Sequence, residues 1–360
     1  MYVDKIKIID FRNYKSAEAD FSRKKNIIIG ENAQGKTNFI EAIYLCAFSR
    51  SFRTNRMTEL IRLGEKKTRI IAEAESEEIE KNIDITLLDN GRKIIKKNGK
   101  ILRNATELLN NLVVVVFSPE DLGIIKYSPE RRRNFIDKEL SQLRPKYYES
   151  LRNYKEALKQ KNALLKDNHG FSGMDLLDVY DNQLVRYGRE VINYRSGFID
   201  MLADRSWEIQ DKISNGTEKL QIKYIRSSGS DDLDYNIRKS REKDMIRGFS
   251  SIGPHRDDIE FYINGRNSHD FASQGQQRTV ALSLKLAEVR MTYEIMGEYP
   301  ILILDDVLSE LDLYRQRYLL GAIEDVQLFI TSTEVNESVL SGIEGCHLYR
   351  VKEGNISREK

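Results

Sequence analysis

The sequence predicts an α/β fold in which one strand-and-helix core, carried at the two ends of the chain, is split by a helical insertion. Three observations predict it. Strand-like and helix-like stretches alternate at both ends. A glycine-bearing loop, Gly30 to Thr37, stands between a short apolar strand and an apolar-periodic helix. The middle of the chain, about 128–245, shifts to apolar spacings of three and four.

Residues 2–9 alternate with the period of two that a half-buried strand requires. Asn26-Ile27-Ile28-Ile29 is short, β-branched and followed by glycine. Strands are expected next at 68–73 and 83–88. Asn90-Gly91 and Asn98-Gly99 mark hairpin turns, because Asn and Gly tolerate the positive φ such turns need. Residues 113–117 read as a buried strand. After Ser128-Pro129, residues 130–140 and 146–165 read as helices, the second with Leu151, Tyr154 and Leu158 on one face. His169-Gly170-Phe171-Ser172-Gly173 predicts a break, and 175–213 one long helix or two. No sustained four-heptad seam appears, so the insertion is a short arm, not a long coiled coil. Strand text returns at 257–263, with a turn at Asn264-Gly265. A helix over 276–296, a strand at 301–304, a helix near 313–323 and a strand at 327–330 complete the core. The expected domains are 1–127 (first part of the core), 128–245 (helical arm) and 246–360 (second part of the core).

Composition narrows the class. The chain has 360 residues, 40% apolar and 32% charged, with 5 Pro and 21 Gly. It can bury a large core, and collagen-like, Pro-rich and disordered classes are excluded. Cys46 and Cys346 form no CxxC pair, which fits a reducing, cytoplasmic compartment. The first ten residues lack the apolar stretch of a signal peptide, and the longest apolar run, 112–117, falls far short of the ~20 residues that cross a bilayer, so no membrane partner is expected. The net charge of +2 names no partner, but its distribution does more. Residues 91–103 carry six Lys/Arg and no acid, and 126–166 carry twelve Lys/Arg against five Asp/Glu. Each run is either a nucleic-acid footprint or a solvated face.

Gly30-Glu31-Asn32-Ala33-Gln34-Gly35-Lys36-Thr37 satisfies G-x-x-x-x-G-K-[ST] at every fixed position, between a strand and a helix. Such a loop turns its backbone N–H groups toward phosphates at a helix N-terminus. Lys36 would reach the β- and γ-phosphates of ATP, and the Thr37 hydroxyl would sit on Mg²⁺. The apolar run Ile301 to Leu304 ends in Asp305-Asp306, where open α/β sheets bind ligands. Asp305 would hold Mg²⁺ directly or through water, and Asp306 would orient or deprotonate the attacking water. Ser273-Gln274-Gly275-Gln276-Gln277 precedes an apolar-periodic helix and makes a second anion-binding helix start, or an ordinary N-cap. A nucleotide has one γ-phosphate, which the loop already cradles. The second anion site is therefore spare, or aimed at a nucleotide held by another copy of the chain.

These elements, with Phe11-Arg12-Asn13-Tyr14, Phe117-Ser118-Pro119-Glu120-Asp121-Leu122, Gly253-Pro254-His255-Arg256-Asp257-Asp258 and Ser309-Glu310-Leu311-Asp312, resemble the ABC-type ATPase heads of the SMC class and, within it, the RecF family of bacterial recombinational repair proteins. The resemblance runs from about residue 3 to 335. It implies an ABC-type (P-loop) ATPase head split by a short helical arm, and a homodimer that sandwiches two ATP molecules. Lys36 of one copy would share each nucleotide with Ser273, Gly275 and Gln276 of the other, and residues 309–312 would cross the interface. It further implies ATP-dependent binding of single-stranded, gapped or junction DNA. Cooperation with RecR and RecO in loading RecA would follow, with a part in replication fork recovery and SOS induction. Catalytically it implies a weak DNA-dependent ATPase that acts as a switch. Arg12 and Asn13 would contact the base or ribose, or simply form a strand-end turn.

Departures from transporter-type sites matter. Asp306 stands where those carry Glu, Ser118 to Asp121 where they carry Gln, and Thr331-Ser332-Thr333 where they carry His. A shorter base and a missing His imply slow hydrolysis, with Thr331 or Thr333 a substitute hydroxyl for the γ-phosphate side. The absence of that Gln and His also argues against a transporter subunit. The alternative, an SMC-like structural organiser of DNA, is disfavoured by the short arm. His169, His255, His269 and His347 have no metal-ligand spacing. His255 is structural or near the nucleotide.

Overall fold

The computed structural model describes residues 1–109, 111–166, 174–229, 232–323, 325–333 and 345–359. It divides into two compact units, Met1–Leu122 with Lys285–Lys360, and Gly123–Leu284. The α/β class and the helical insertion expected from the sequence are both present.

The chain opens with β1 (Tyr2–Phe11), β2 (Tyr14–Asp20), β3 (Lys25–Ile29), α1 (Lys36–Phe48), β4 (Lys67–Ser76), β5 (Ile79–Leu88), β6 (Lys93–Lys97), β7 (Lys100–Ile101) and β8 (Val114–Phe117). Six of these form an antiparallel sheet in the order β2-β1-β4-β5-β6-β7. Asn98 and Gly99, with φ of 48° and 78°, turn β6 into β7 as the Asn-Gly signal requires.

The second unit holds α2 (Pro129–Leu143), α3 (Pro145–Lys166), α4 (Met174–Ile213), β9 (Leu220–Ile225), α5 (Leu233–Lys239), α6 (Arg241–Arg247), β10 (Asp258–Ile263), β11 (Arg266–Asn267), α7 (Ser268–Phe271) and the start of α8 (Gln274–Met296), which crosses the division. The expected break at 169–173 lies outside the described residues. Strand β9 was not expected, although Leu220, Ile222 and Tyr224 alternate; it pairs antiparallel with β10, from Asp258 opposite Ile225 to Ile263 opposite Leu220. That pairing joins the helices to residues beyond 245, and the unit closes at Leu284.

The remainder, β12 (Ile301–Asp305), α9 (Leu313–Gly321), β13 (Leu328–Ser332), β14 (Cys346–Lys352) and β15 (Asn355–Arg358), returns to the first unit. It completes a second sheet, β15-β14-β3-β13-β12-β8, parallel except for β15. Strand β12 is buried throughout, which explains its unbroken apolar run. Helix α1 contacts both sheets, so it is apolar almost all round; Phe39, Ile40, Ile43 and Tyr44 join one core with Ile6, Ile8 and Phe329. Buried Gln327 links the sheets: its amide accepts from Val3 N (2.8 Å) and donates to Val3 O (2.8 Å) and Ser22 O (2.9 Å). No described helix is long and apolar enough to cross a membrane.

Candidate functional site

The site is assembled where three parallel strands end. β3 runs into the loop Gly30 to Gly35, which opens α1; β12 ends in Asp305; β13, its neighbour, brings Thr331 opposite Asp305. The loop needs unusual backbone angles, with Ala33 at φ 63° and Gly35 at φ 119°. A Cβ on Gly30 would lie 2.4 Å from Val351 O, and one on Gly35 would lie 2.6 Å from Asn13 Nδ2. Close approach therefore requires glycine at both positions, and at Gly35 the backbone conformation requires it too.

The loop's carbonyls are consumed from outside. Gln34 O accepts from Asn13 Nδ2 (2.8 Å) and Gly354 N (3.2 Å), and Gly35 O from the Tyr14 hydroxyl (3.0 Å). Glu353 N donates to Gln34 Oε1 (2.6 Å), so the turn between β14 and β15 also clasps the loop. Lys36, 4% exposed, donates to Gly30 O (2.8 Å) and Glu31 O (3.2 Å). The backbone N–H groups of residues 32–37 donate to no described residue. Acceptors spent and donors left over, at a helix N-terminus with a buried ammonium beneath, make an anion cradle.

Next to the cradle, Asp305 Oδ1 accepts from the Thr37 hydroxyl (3.0 Å) and the Thr331 hydroxyl (2.7 Å). Burial pushes the Asp305 carboxyl above the usual range, against the two hydroxyl bonds, which hold it down. A cation at this point would relieve that cost. Among the described residues no group of three His, Cys, Asp or Glu could hold a metal ion. The donors present, one hydroxyl and one carboxylate, fit Mg²⁺, which keeps waters and phosphate oxygens in its shell. Asp306 sits in the left-handed region at φ 51° and its N–H donates to Thr331 Oγ1 (2.9 Å). Its carboxylate has no hydrogen-bond partner or ion pair among the described residues.

Thr331 thus serves differently from the sequence expectation. Its hydroxyl is buried and committed to Asp305 and the Asp306 amide, which leaves none for a γ-phosphate. Arg12 is engaged as well: Nε and Nη2 donate to buried Glu41 (2.9 and 3.0 Å) and Nη1 to Glu59 O (3.1 Å). Asn13 reaches the loop itself and accepts from Asn38 Nδ2 (2.9 Å). Sequence reasoning passed over Arg53, which donates to Asn38 Oδ1 (2.7 Å) and whose charge favours ionised Asp305. The available signal was Arg50, Arg53 and Arg56 in the polar loop after α1.

A family model for the RecF/RecN/SMC N terminal domain matches residues 2–355. The DNA replication and repair protein RecF of Clostridium kluyveri is 41% identical over 363 residues, covering 99% of this chain and 100% of that protein. The chain belongs to the RecF family. RecF of Clostridium perfringens (strain SM101) is 42% identical over 364 residues, with 99% of each chain covered. A solved structure of the recombination mediator protein RecF-ATP in the RecFOR pathway superposes with a TM-score of 0.93 at 37% identity, covering 100% of this chain and 98% of that one. The Smc head domain of Pyrococcus furiosus shares the fold, with a TM-score of 0.59 at 17% identity, over 99% of this chain and 95% of that one.

The other segments singled out in the sequence resolve into local structure. In the second unit, Ser273 and Gln276 form a capping box at the start of α8: Ser273 Oγ accepts from Gln276 N (3.3 Å) and Gln276 Oε1 from Ser273 N (3.0 Å). Ser273 and Gly275 are exposed there. In the first unit, Asp121 Oδ2 accepts from Ser118 N (2.8 Å) and its hydroxyl (3.1 Å), and Lys285 lies 3.7 Å from Oδ1, so Ser118 to Asp121 closes on itself. Asp312 caps α9 through Arg315 N (2.9 Å). The two basic runs are partly spent. Arg132, Lys138, Lys155 and Lys161 each face a carboxylate, Lys161 with no exposure at all. Lys93 bonds Ser49 and Lys97 bonds Asn111.

Proposed function

We propose that this chain is an ATP-dependent DNA-binding repair ATPase of the cytoplasm, and that it works as a homodimer closed by two ATP molecules. The observation that carries the reading is the 3.0 Å bond between Thr37 Oγ1 and Asp305 Oδ1, which joins the end of the anion cradle to the carboxylate of β12. The likeness to a RecF solved with ATP supports the same ligand here. The amides of residues 32–37 and Lys36 bind the phosphates, Asn13 holds the loop in shape, and Arg12 bears on it through α1 by fixing Glu41. Thr37 and Asp305 hold Mg²⁺, which when bound neutralises charge shared by the β- and γ-phosphate oxygens. Asp306, with its carboxylate unspent, orients the attacking water and takes its proton. Its reach is one methylene shorter than glutamate's, and Thr331 is committed elsewhere, so hydrolysis is slow and suits a switch.

Ser273, Gly275 and Gln276 present an exposed, capped helix start to the nucleotide of a second copy, where they stabilise charge on the γ-phosphate. The ATP-closed dimer binds gapped or junction DNA and hands it on with RecR and RecO to support RecA loading, fork recovery and SOS induction. An organising tether is not supported: α4 has 40 residues, about 60 Å of helix. The test is titration calorimetry with ATP. The parent binds in Mg²⁺, and Asp305→Asn weakens binding at least tenfold in Mg²⁺ and far less in EDTA. A parent that binds no nucleotide refutes the reading.

A further inference from the structure

All but one of the residues of the segment Gly253 to Asp258 are built into the second unit. His255 accepts the Tyr154 hydroxyl at Nδ1 (2.6 Å) and donates from Nε2 to Ser250 O (3.0 Å). Gly253 has φ 136°, and a Cβ there would lie 2.3 Å from the same hydroxyl, so glycine is what admits Tyr154. Arg195 donates to Pro254 O (2.6 Å), Asp257 accepts Ser227 N (2.8 Å), and Asp258 accepts two nitrogens of Arg132 (2.9 and 2.7 Å). Arg256 alone is exposed, its guanidinium 5.0 Å over the Phe249 ring. Five built-in residues therefore present one cation to solvent.

The same unit carries further exposed cations shortly before it in the chain. Lys243 and Arg247 are exposed at i, i+4 on α6, and Lys239, four residues earlier, is exposed and held 5.3 Å from the Tyr235 ring. None of the four has a carboxylate within 4.0 Å among the described residues. Arg238 and Arg241 between them take the nearby acids Asp178, Asp181 and Asp234. Ile246 stands 88% exposed between Lys243 and Arg247. Like charges one helical turn apart repel, so the row is disfavoured in the isolated protein and favoured once an anion lies along it.

We propose that Lys239, Lys243, Arg247 and Arg256 form a surface of the second unit that contacts the phosphate backbone of DNA. The proposal rests on the DNA-binding reading above and gives it a place, one that neither long basic run of the sequence marked. Separate, unpaired cations, three of them at four-residue intervals, match a repeating anion better than a compact acidic peptide, and the ring-mounted Lys239 and Arg256 lose little freedom on contact. Ile246 supplies an apolar edge against sugars or an opened base step.

The experiment uses the full chain with ATP and Mg²⁺ and follows anisotropy of a labelled gapped duplex from 50 to 200 mM salt. K243Q/R247Q/R256Q is compared with the parent and with K146Q/R152Q/K159Q, an equal charge loss from exposed positions of α3. The expected result is binding weakened at least tenfold at the higher salt and a log–log salt slope shallower by about 2 to 3, at ~0.9 per lost contact. The α3 variant stays within about threefold, and ATP affinity is unchanged in both. If the parent binds DNA and K243Q/R247Q/R256Q binds equally well with the full slope, the surface is refuted, the DNA-binding reading stands, and the patch with Ile246 falls to a protein partner. If the parent binds no DNA at any salt, that reading fails and this proposal with it.

Discussion

Replacing Gly35 with alanine probes how the cradle is built. Gly35 sits at φ 119° and ψ 7°, where an L side chain costs roughly 1–3 kcal/mol. The new Cβ would lie 2.6 Å from Asn13 Nδ2 and 2.9 Å from Oδ1, so Asn13 must leave. Its bonds to Gln34 O and from Asn38 Nδ2 then break, at about 0.5–1 kcal/mol each for exposed groups. The expected loss is about 2–5 kcal/mol, read as a lower urea midpoint without nucleotide, together with at least tenfold weaker MgATP binding. A double-mutant cycle separates the parts. In an Asn13→Ala background the clash is gone, so Gly35→Ala costs only the backbone strain and the two changes couple by about 1–2 kcal/mol. A Gly35→Ala protein within 0.5 kcal/mol of the parent (~0.5, the usual range for neutral sites) with unchanged affinity would refute the reasoning.

Further outcomes follow from the same geometry. Arg12→Ala leaves the fully buried Glu41 carboxylate with only the Ser51 hydroxyl and, at 3.8 Å, Arg53, and is expected to cost about 2–3 kcal/mol by urea unfolding; Arg12→Ala with Glu41→Gln should recover part of it, and no recovery would argue that the pair does not matter. Asp306→Asn should bind MgATP within a few-fold of the parent yet hydrolyse it at least a hundredfold more slowly; undiminished turnover would remove Asp306 from the chemistry. Burial holds His255 neutral, pushing its pKa from 6.5 down to about 4. The unfolded chain takes up that proton near 6.5 and the folded one does not, so stability falls as pH drops from 6.5 toward 4, by up to about 3 kcal/mol. His255→Gln should flatten that window in unfolding measured at pH 7, 5.5 and 4.5; an unchanged slope would assign it to other groups.

The loop and Asp305 were legible because their chemistry lives in contiguous residues: a fixed spacing of Gly, Lys and Thr, and an apolar run ending in acid. What stayed hidden depends on contacts distant in sequence. Strands β14 and β15 carry no motif, yet their turn holds Gln34 across 319 residues. Thr331 read as a free hydroxyl because nothing in Ile330-Thr331-Ser332 reveals that β13 lies in register with Asp305. Arg12 looked available because Glu41, its partner, lies 29 residues on and inside α1. Charge runs misled for the same reason, since Arg132 meets its carboxylate 126 residues away, while Lys239, Lys243, Arg247 and Arg256 are exposed but scattered among acids in the sequence.

Under the proposed function a working nucleotide site needs two copies, one giving the cradle and one giving Ser273. Sedimentation velocity with ATP and Mg²⁺ under conditions of slow turnover tests it most directly. The expected result is a monomer without nucleotide, a dimer with ATP, and a Ser273→Arg variant that binds ATP but stays monomeric. Parent protein that remains monomeric when saturated with ATP, with or without DNA, would contradict it.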